Sequence, residues 1–361
     1  MPHGILFWRS LIQWLGGMGI IVLSLAILPV LGVGGMQLFE AEVPGLTPDK
    51  LHPRIKETAK RLWIIYVGFT LAQTVLLCFG GLTVFDSICH SFTTMATGGY
   101  STKQASIAHW DSAYVHYVIT IFMIIAGMNF TLSYSMLKGK FSKVWLNDEL
   151  RFYIYTILIF TFCIGATLYV TQNNYTAEKS FRDAIFQVVS IITTTGYATA
   201  DYMLWVPFAG VAIFLLMFFG GSAGSTGGGI KMARIYLLIK NSQNELKRLI
   251  HPNAVIPVRF NGKAVPQSII NNVLAFVVIY LTIVALSTIV LSMMGYSLST
   301  SLGAVATSIG NIGPGLNELG PAFSFSEVPA LGKWFLSFLM LIGRLELFTV
   351  IILFSRHFWR H

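Results

Sequence analysis

The stretch "SIITTTGYATADY", residues 190–202, places three consecutive threonines, a glycine and a tyrosine between strongly apolar segments. Two further stretches have the same form, "FDSICHSFTTMATGGYST" at residues 85–102 and "SLSTSLGAVATSIGNIGPG" at residues 297–315. Each begins with an amphipathic segment too short to cross a bilayer and ends in hydroxyl side chains and glycine. One such segment alone would be typical of an extracellular turn. Three of them indicate re-entrant half-helices, each followed by an extended return segment that is buried in protein or lines water.

The composition indicates that most of the chain does not face water. Of 361 residues, 55% are hydrophobic and 11% are charged, compared with about 25% charged residues in soluble proteins. Charge-free runs long enough for a spanning helix cover residues 10–39, 62–85, 112–137, 152–177, 202–230 and 264–317. An all-α integral membrane protein is therefore predicted. Its helices are expected near residues 8–31, 60–80, 113–137, 151–172, 203–219, 266–294 and 331–356.

The net charge of +9 is explained by membrane topology and does not indicate a nucleic-acid partner. Basic residues cluster in alternate loops, as expected for the cytoplasmic side of a membrane protein, and the C-terminus is predicted to lie on that side. The basic residues concerned are Lys50, Arg54, Lys56, Lys60, Arg61, Lys138, Lys140, Lys143, Lys240, Lys247, Arg248, Arg259, Lys263, Arg356 and Arg360. The three cysteines lack metal-ligand spacing, so neither a metal site nor a disulfide framework is predicted.

The three stretches divide the chain into repeats of helix, half-helix with loop, and helix. When Gly98, Gly196 and Gly310 are aligned, they are separated by 98 and 114 residues, and one period backwards reaches the start of the chain. The first helix is therefore expected to be the second helix of a repeat whose beginning is missing. The predicted division is residues 1–40 for this truncated first repeat, 41–145 for the second, 146–263 for the third with a broken helix and a cytoplasmic segment, and 264–361 for the fourth.

The segments that follow the half-helices have the chemistry needed to bind a dehydrated cation. Main-chain carbonyl oxygens on an extended strand replace the water shell of an ion, as in the potassium-channel signature TVGYG. Glycine permits backbone conformations that other residues avoid, and the C-terminal ends of half-helices favour cations. The predicted filter residues, with potassium at the filter glycines, are Thr97, Gly98, Gly99, Thr194, Thr195, Gly196, Tyr197, Ser308, Ile309, Gly310 and Asn311.

A second motif, "FFGGSAGSTGGGIKMARI" at residues 218–235, interrupts the fifth predicted helix. Glycine destabilises a helix by about 1 kcal/mol relative to alanine, so six glycines within ten residues predict a break, with the helix resuming near Ile230. An unwound segment directly below the filters is a candidate gate. The predicted gate residues are Gly220, Gly221, Ser222, Gly224, Ser225, Gly227, Gly228, Gly229 and Lys231, together with Arg344.

Two enzyme motifs compete for the same glycine-rich segment. A phosphate-binding loop requires Gly-Lys-Ser/Thr, but an isoleucine separates the last glycine from Lys231, which excludes that motif. The Gly-x-Ser-x-Gly pattern around Ser222 matches a nucleophile elbow, which leaves an intramembrane serine protease as an alternative function. That chemistry requires a histidine at the same depth, whereas His90 and His116 are both expected on the outer side.

The last predicted helix, "WFLSFLMLIGRLELFTVIILF" at residues 334–354, has Arg344 and Glu346 well inside the span. A charge there costs at least about 2.5 kcal/mol unless it faces a partner or water. Either these charges take part in a structural ion pair between helices, or Arg344 faces the pore below the filter and repels cations. Asn129, in the third predicted helix, is expected to make an interhelical hydrogen bond.

With these motifs the chain resembles the TrkH family of pore-forming subunits of Trk-type potassium uptake systems, within the Trk/Ktr/HKT superfamily. The likeness is carried by "WLGGMGIIVLSLAILPVLGVGGMQLFEAEVPG" from Trp14, the three filter loops, "GGSAGSTGGGIKMAR" and "MLIGRLELFTV". The resemblance implies fused helix–pore loop–helix repeats around a pseudo-fourfold pore, with the first repeat incomplete here. It also implies passive or coupled (symport) potassium uptake without catalysis, and no cofactor beyond the transported ion.

The same resemblance implies partners and residue roles. It predicts a homodimer in the bacterial cytoplasmic (inner) membrane, surrounded by membrane lipid, with a cytosolic TrkA-like nucleotide-binding regulatory subunit docked beneath. Gly98, Gly196 and Gly310 match the family's filter glycines in the second to fourth repeats, the broken helix matches its gating loop, and Arg344 matches its arginine below the filter. Because the first filter is not in this sequence, a non-conducting scaffold subunit is the other alternative function.

Overall fold

The chain folds almost entirely into helices. The structure, a computed structural model, describes residues 1–22, 55–172, 175–345, 347–353 and 359. The helices in those ranges are α1 (His3–Val22), α2 (Ile55–Phe79), α3 (Val84–Met95), α4 (Ala113–Gly127), α5 (Phe130–Leu137), α6 (Phe141–Trp145), α7 (Asp148–Thr171), α8 (Ala177–Ile192), α9 (Pro207–Leu216), α10 (Met232–Ile250), α11 (Gln267–Met293), α12 (Leu298–Gly310), α13 (Ala330–Arg344) and α14 (Leu347–Leu353). The strands there are β1 (Arg259–Phe260) and β2 (Lys263–Ala264). The predicted all-α fold class is confirmed.

Long apolar helices form the membrane-spanning part. Within the described ranges, α2, α7 and α11 are long and apolar enough to cross a membrane, and α4 with α5 adds a fourth span if this bent pair is counted as one. The three correspond to the spans predicted near residues 60–80, 151–172 and 266–294. Large apolar side chains on their outer faces, Phe79, Phe162 and Met293, are 80%, 76% and 83% exposed. Such faces are suited to contact with lipid hydrocarbon.

Three shorter helices, α3, α8 and α12, are the predicted half-helices. They contain 12, 16 and 13 residues, and at 1.5 Å per residue none reaches across the roughly 30 Å hydrocarbon core. Each begins at an N-cap residue with a hydroxyl side chain, respectively Thr83, Thr176 and Ser297. This hydroxyl accepts a hydrogen bond from the main-chain N–H three residues later. Each also packs against two other helices: α3 against α1 and α2, α8 against α4 and α7, and α12 against α11 and α13.

The third predicted span is not one helix, so that prediction is wrong. Helix α4 ends at Gly127, α5 begins at Phe130, and the two axes are bent by 110°. Met128 between them is extended, and the side chain of Asn129 accepts hydrogen bonds from the main-chain N–H and the hydroxyl of Thr131 at 2.8 and 2.7 Å. Asn129 is therefore the N-cap of α5. The interhelical hydrogen bond predicted for it is wrong.

Two other predicted spans are also interrupted. The fifth is represented by α9, which starts with Pro207 at its first turn, where a missing N–H does no harm. The chain then leaves the helix and resumes at Met232 in α10, so the predicted break is confirmed. The last span ends as α13 at Arg344 and restarts as α14 at Leu347. Glu346, and the predicted extension of the first helix to residue 31, lie outside the described residues.

A small extramembrane unit follows α10. Strands β1 and β2 pair antiparallel around Asn261 and Gly262, whose φ angles of 49° and 77° are those of a two-residue hairpin turn. The buried side chain of Phe260 packs in one apolar cluster with Leu237 of α10 and Val273 of α11. This hairpin is thereby fixed to the helix that continues from the glycine-rich break.

Candidate functional site

The three segments that follow the half-helices meet around one cavity. We call residues 97–100, 194–197 and 311–314 the filter segments. A cavity of about 760 Å³ is lined by members of all three, including Gly99, Gly196 and Gly313. Gln13 of α1 and Arg344 of α13 also reach this cavity. The segments therefore lie around a common space rather than being dispersed over the outer surface.

The filter segments share one backbone geometry. Thr97, Thr194 and Asn311, directly after the half-helices or one residue further on, have positive φ angles of 50°, 56° and 56°. Left-handed backbone at a non-glycine residue is uncommon, so its threefold recurrence marks equivalent positions. The following residue donates its N–H back into the half-helix each time, and the bonds are Gly98 to Thr93 O at 2.7 Å, Thr195 to Ser190 O at 2.9 Å and Ile312 to Thr307 O at 2.9 Å.

This geometry corrects the sequence alignment of the filter glycines. The glycines equivalent to Gly196 are Gly99 and Gly313, with φ angles of 82°, 65° and 117° in the order named. The predicted partners, Gly98 and Gly310, lie one and three positions too early. Ser308, Ile309 and Gly310 form the last turn of α12. The alignment failed because it matched the first glycine after the hydroxyls, whereas each equivalent glycine lies two residues after the left-handed Thr97, Thr194 or Asn311.

Two filter glycines are required by close packing between neighbouring segments. A side chain at position 99 would overlap the main-chain oxygen of Thr195, and one at position 196 would overlap the main-chain oxygen of Ile312. At these two glycines, each segment therefore approaches a main-chain oxygen of the next too closely to leave room for a side chain. Both glycines also have positive φ, which L-residues with a Cβ adopt only at a cost.

The glycine-rich break, residues 217–231, forms a closed loop that we call the gate loop. Its two ends are held together, because Gly220 N donates to Ile230 O at 2.8 Å and Met232 N donates to Gly221 O at 3.2 Å. Phe219 and Ile230 form an isolated parallel bridge at the same place. The chain thus leaves α9, forms a single loop whose two ends lie side by side, and continues into α10.

The gate loop contacts the C-terminal ends of all three half-helices. The hydroxyl of Thr226 donates to Met95 O of α3 at 3.0 Å, and Gly228 N donates to the hydroxyl of Thr194 at 2.7 Å. A side chain at Gly228 would come within 2.6 Å of Gly310 O, at the end of α12. The loop therefore lies directly beneath the point where the half-helices converge.

The gate loop and the break between α4 and α5 satisfy each other's main-chain groups. Ser222 N donates to Gly127 O at 2.8 Å, and Phe130 N donates to Gly224 O at 3.3 Å. Unwound backbone at membrane depth is tolerated only when its polar groups find partners in the protein. The two interruptions therefore depend on one another.

Two basic side chains bind carbonyl groups of the gate loop. Arg344 Nη1 donates to Thr226 O at 2.8 Å, and Lys231 Nζ donates to Gly227 O at 2.5 Å. Arg344 also lines the cavity beneath the filter segments. A basic side chain that binds the gate loop thus also lines the cavity that the filter segments share.

The whole sequence also matches a known family. Residues 1–360 match the model of the TrkH family, described as a cation transport protein. The chain belongs to the TrkH family. The Trk system potassium uptake proteins TrkH of Escherichia coli (strain K12) and Vibrio parahaemolyticus are 44% and 43% identical to it, over 100% of this chain and 74% and 75% of theirs. A crystal structure of the potassium transporter TrkH from Vibrio parahaemolyticus matches with a TM-score of 0.88 and 39% identity, over 100% of this chain and 74% of that one.

In this TrkH-family chain, side-chain hydrogen bonds link each filter segment, or a residue just after it, to another part of the chain. The hydroxyl of Tyr197 lies 2.5 Å from the hydroxyl of Thr93 in α3 and donates to His90 O at 3.2 Å. Tyr202 donates its hydroxyl to Gly315 O, just after the last filter segment, at 2.6 Å. Arg9 of α1 donates to Ser101 O, just after the first of the three, at 2.7 Å. These bonds fix the distances between segments.

Sequence reasoning missed several residues of this TrkH-family site. Glu149 is 4% exposed, and its Oε1 accepts hydrogen bonds from Ala223 N in the gate loop and from Ala233 N in the first turn of α10. Because Glu149 lies in the acidic first turn of α7, its sequence position gave no sign that it reaches another helix. Gly313 stood within the quoted third stretch but was passed over. The Gly127-Met128-Asn129 sequence was a readable signal of a helix end followed by a cap.

Proposed function

We propose that this chain takes up potassium ions across the cytoplasmic membrane through a filter built by the segments around Gly99, Gly196 and Gly313. The proposal is supported by the relatives, whose names describe potassium uptake. The observation that carries it for this chain is the meeting of three main-chain segments, each after a half-helix, around one cavity. Carbonyl oxygens on such segments suit a dehydrated monovalent cation, because they replace its water without a fixed charge. Thr97, Thr194, Thr195 and Asn311 add side-chain oxygens at the inner end.

We propose in addition that the gate loop and Arg344 close this pathway. The contacts of Thr226 and Gly228 with the half-helix ends support the role of the loop. The hydrogen bond from Arg344 to Thr226 O supports a role in holding the loop in place. Most residues of the loop are glycine or carry small side chains, so few side chains obstruct its movement.

The assembly is part of the same proposal. The homodimer, the inner-membrane location and the cytosolic TrkA-like regulatory subunit follow from the family resemblance. The four-repeat division at residues 40, 145 and 263 follows from the three repeated segments, and the cytoplasmic C-terminus follows from the basic loops. The alternation of basic loops supports the orientation. The exposed basic side chains of Arg259 and Lys263 on the hairpin offer a cytosolic partner a positive surface.

The proposal is tested by growth. The chain is expressed in bacteria that lack their own potassium uptake systems, and growth is measured at low potassium. Growth is expected with the unchanged chain and with Gly81→Asp, since Gly81 also has positive φ but open space around it. Gly196→Asp is expected to abolish growth at equal membrane abundance. Growth of the Gly196→Asp cells would contradict the proposed filter.

The enzyme alternative has no support from the geometry. Among the described residues, the hydroxyl of Ser222 is buried without a hydrogen-bond partner, so no general base activates it there. Within the same residues, no group of His, Cys, Asp and Glu side chains could hold a metal ion. The scaffold alternative predicts no ion flux from this chain, and the growth experiment distinguishes it from transport.

A further inference from the structure

A buried carboxylate ties together the two ends of the gate loop. Oε1 of Glu149, in the first turn of α7, accepts hydrogen bonds from Ala223 N at 2.7 Å and from Ala233 N at 3.2 Å. Ala223 lies early in the gate loop, and Ala233 lies in the first turn of α10. A single oxygen atom thus bonds to the chain on both sides of the loop.

This carboxylate also takes the place of an N-cap for α10. Lys231 precedes that helix, and an ammonium group has no acceptor with which to cap it. The N–H of Ala233 is among the first four of the helix, which lack intrahelical partners. A carboxylate at a helix N-terminus is also favoured by the helix dipole. Glu149 therefore fixes the start of α10 relative to α7 through a hydrogen bond to an N–H that lacks a partner within the helix.

The residue next to Glu149 holds the extramembrane hairpin. Asp148 N donates to Asn261 Oδ1 at 2.8 Å, and Asn261 N donates to Asp148 Oδ2 at 2.6 Å. This reciprocal pair joins the first turn of α7 to the tip of the hairpin. Consecutive residues of α7 thus hold the hairpin on one side and the gate loop on the other.

The hairpin and α10 are packed as one body. The ring of Phe260 contacts the ring of Tyr236 at 5.6 Å between centroids, and both pack with Leu237. A displacement of the hairpin away from α7 therefore carries the first turns of α10 with it. Such a displacement has to lengthen the bond from Ala233 to Glu149.

We propose that Glu149 is a positioning residue that holds the gate loop closed, and that the hairpin at residues 259–264 releases it through the bond between Asn261 and Asp148. The inference rests on the proposed transport function, since it assigns the regulation of the same pathway. The occupant that moves the hairpin is a cytosolic partner with an acidic surface, because Arg259 and Lys263 are exposed on it. Loss of Glu149 favours the open gate without changing the filter segments.

The first test compares carboxylate variants in liposomes. The purified chain and its variants are reconstituted without any regulatory partner, and potassium flux is measured. Glu149→Ala is expected to raise this flux about tenfold, since it removes two hydrogen bonds to a carboxylate. Glu149→Gln keeps an acceptor oxygen and is expected to raise it less. Glu245→Ala, which removes an exposed carboxylate of α10 that pairs with Arg248, is expected to leave the flux unchanged.

The second test isolates the hairpin. Asn261→Gly retains the positive φ of the turn and removes only the side chain, so this exposed change gives a result even if Glu149→Ala does not fold. It is expected to raise the flux about threefold, whereas Asn253→Gly in a neighbouring exposed turn leaves it unchanged. Because the hairpin acts through Glu149, the double variant with Glu149→Ala is expected to match Glu149→Ala alone. Rises that multiply would overturn this coupling.

The ion selectivity of the variants and a variant with a shortened gate loop distinguish between the possible explanations of these results. The ratio of potassium to sodium flux is expected to stay the same in every variant, whereas a general loosening of the fold would lower it. Shortening residues 221–228 provides an open reference. If that variant conducts potassium while the flux of the Glu149 and Asn261 variants equals that of the unchanged chain, the coupling is wrong and the transport function stands. If no variant conducts, including the shortened one, the proposed function itself is refuted.

Discussion

Replacing Gly196 by alanine tests whether the filter depends on main-chain contact between neighbouring segments. The φ angle of 82° costs alanine about 1–2 kcal/mol relative to glycine. The added methyl group would also overlap the main-chain oxygen of Ile312. Restoring an ordinary carbon–oxygen contact of about 3.3–3.6 Å requires the neighbouring segment to move by roughly 1 Å or more.

A matched glycine separates these two effects. Gly81 has φ 85° but nothing within 4 Å of the position that a methyl group would take, so Gly81→Ala has the strain without the displacement. Displacing a site by about 1 Å lowers its activity by about a hundredfold in other systems. We expect Gly196→Ala to reduce uptake by about that factor, and Gly81→Ala to leave it within about twofold.

The assay is the initial rate of radioactive rubidium uptake by potassium-depleted cells that lack their own uptake systems. Rates are divided by the amount of chain in the membrane fraction, so that lower abundance caused by strain is not counted as lost transport. An equal loss of specific rate in both variants would show that strain alone is responsible. That result would refute the argument from contact between segments.

Three further outcomes are expected. Arg344→Gln removes a charged donor to the gate loop and is expected to raise potassium flux without a regulator about tenfold. Its control, Lys333→Gln on the exposed part of the same helix, is expected to leave the flux unchanged. Equal flux in both variants would contradict the role of Arg344. Tyr202→Phe removes a hydrogen bond to a main-chain oxygen beside the last filter segment and is expected to lower the ratio of potassium to sodium uptake about fivefold. Tyr155→Phe, on an outer helix face, is expected to leave this ratio unchanged. An unchanged ratio in Tyr202→Phe would contradict the role of this hydrogen bond. Asn129→Ala removes a helix cap and is expected to lower the thermal unfolding midpoint of the detergent-solubilised protein by a few degrees, corresponding to about 1 kcal/mol; an unchanged midpoint would show that the cap adds no stability.

Much of the architecture was predictable because the bilayer restricts the choices. The charge-free runs identified α2, α7 and α11, since a spanning helix needs an uninterrupted apolar length. The half-helices were recognisable because three amphipathic segments of similar form are too short to span. The break before α10 was predictable because successive glycines destabilise a helix.

The remainder depended on contacts that sequence spacing does not encode. The bend between Gly127 and Phe130 is stabilised by main-chain bonds to the gate loop, nearly one hundred residues away in the chain. The role of Glu149 depends on N–H groups that lie 74 and 84 residues away in the chain. Gly313 was passed over in favour of Gly310 because its equivalence to Gly196 is visible only in the backbone angles, and the two glycines are followed by different residues.

The most direct test of the central claim is to locate the ion itself. Crystals of the protein grown with thallium or rubidium, which substitute for potassium, would be measured for anomalous scattering. We predict peaks inside the cavity, between the main-chain atoms of Gly99, Gly196 and Gly313, and weaker peaks in Gly196→Ala. Peaks only on the outer surface, with none between these glycines, would contradict the account.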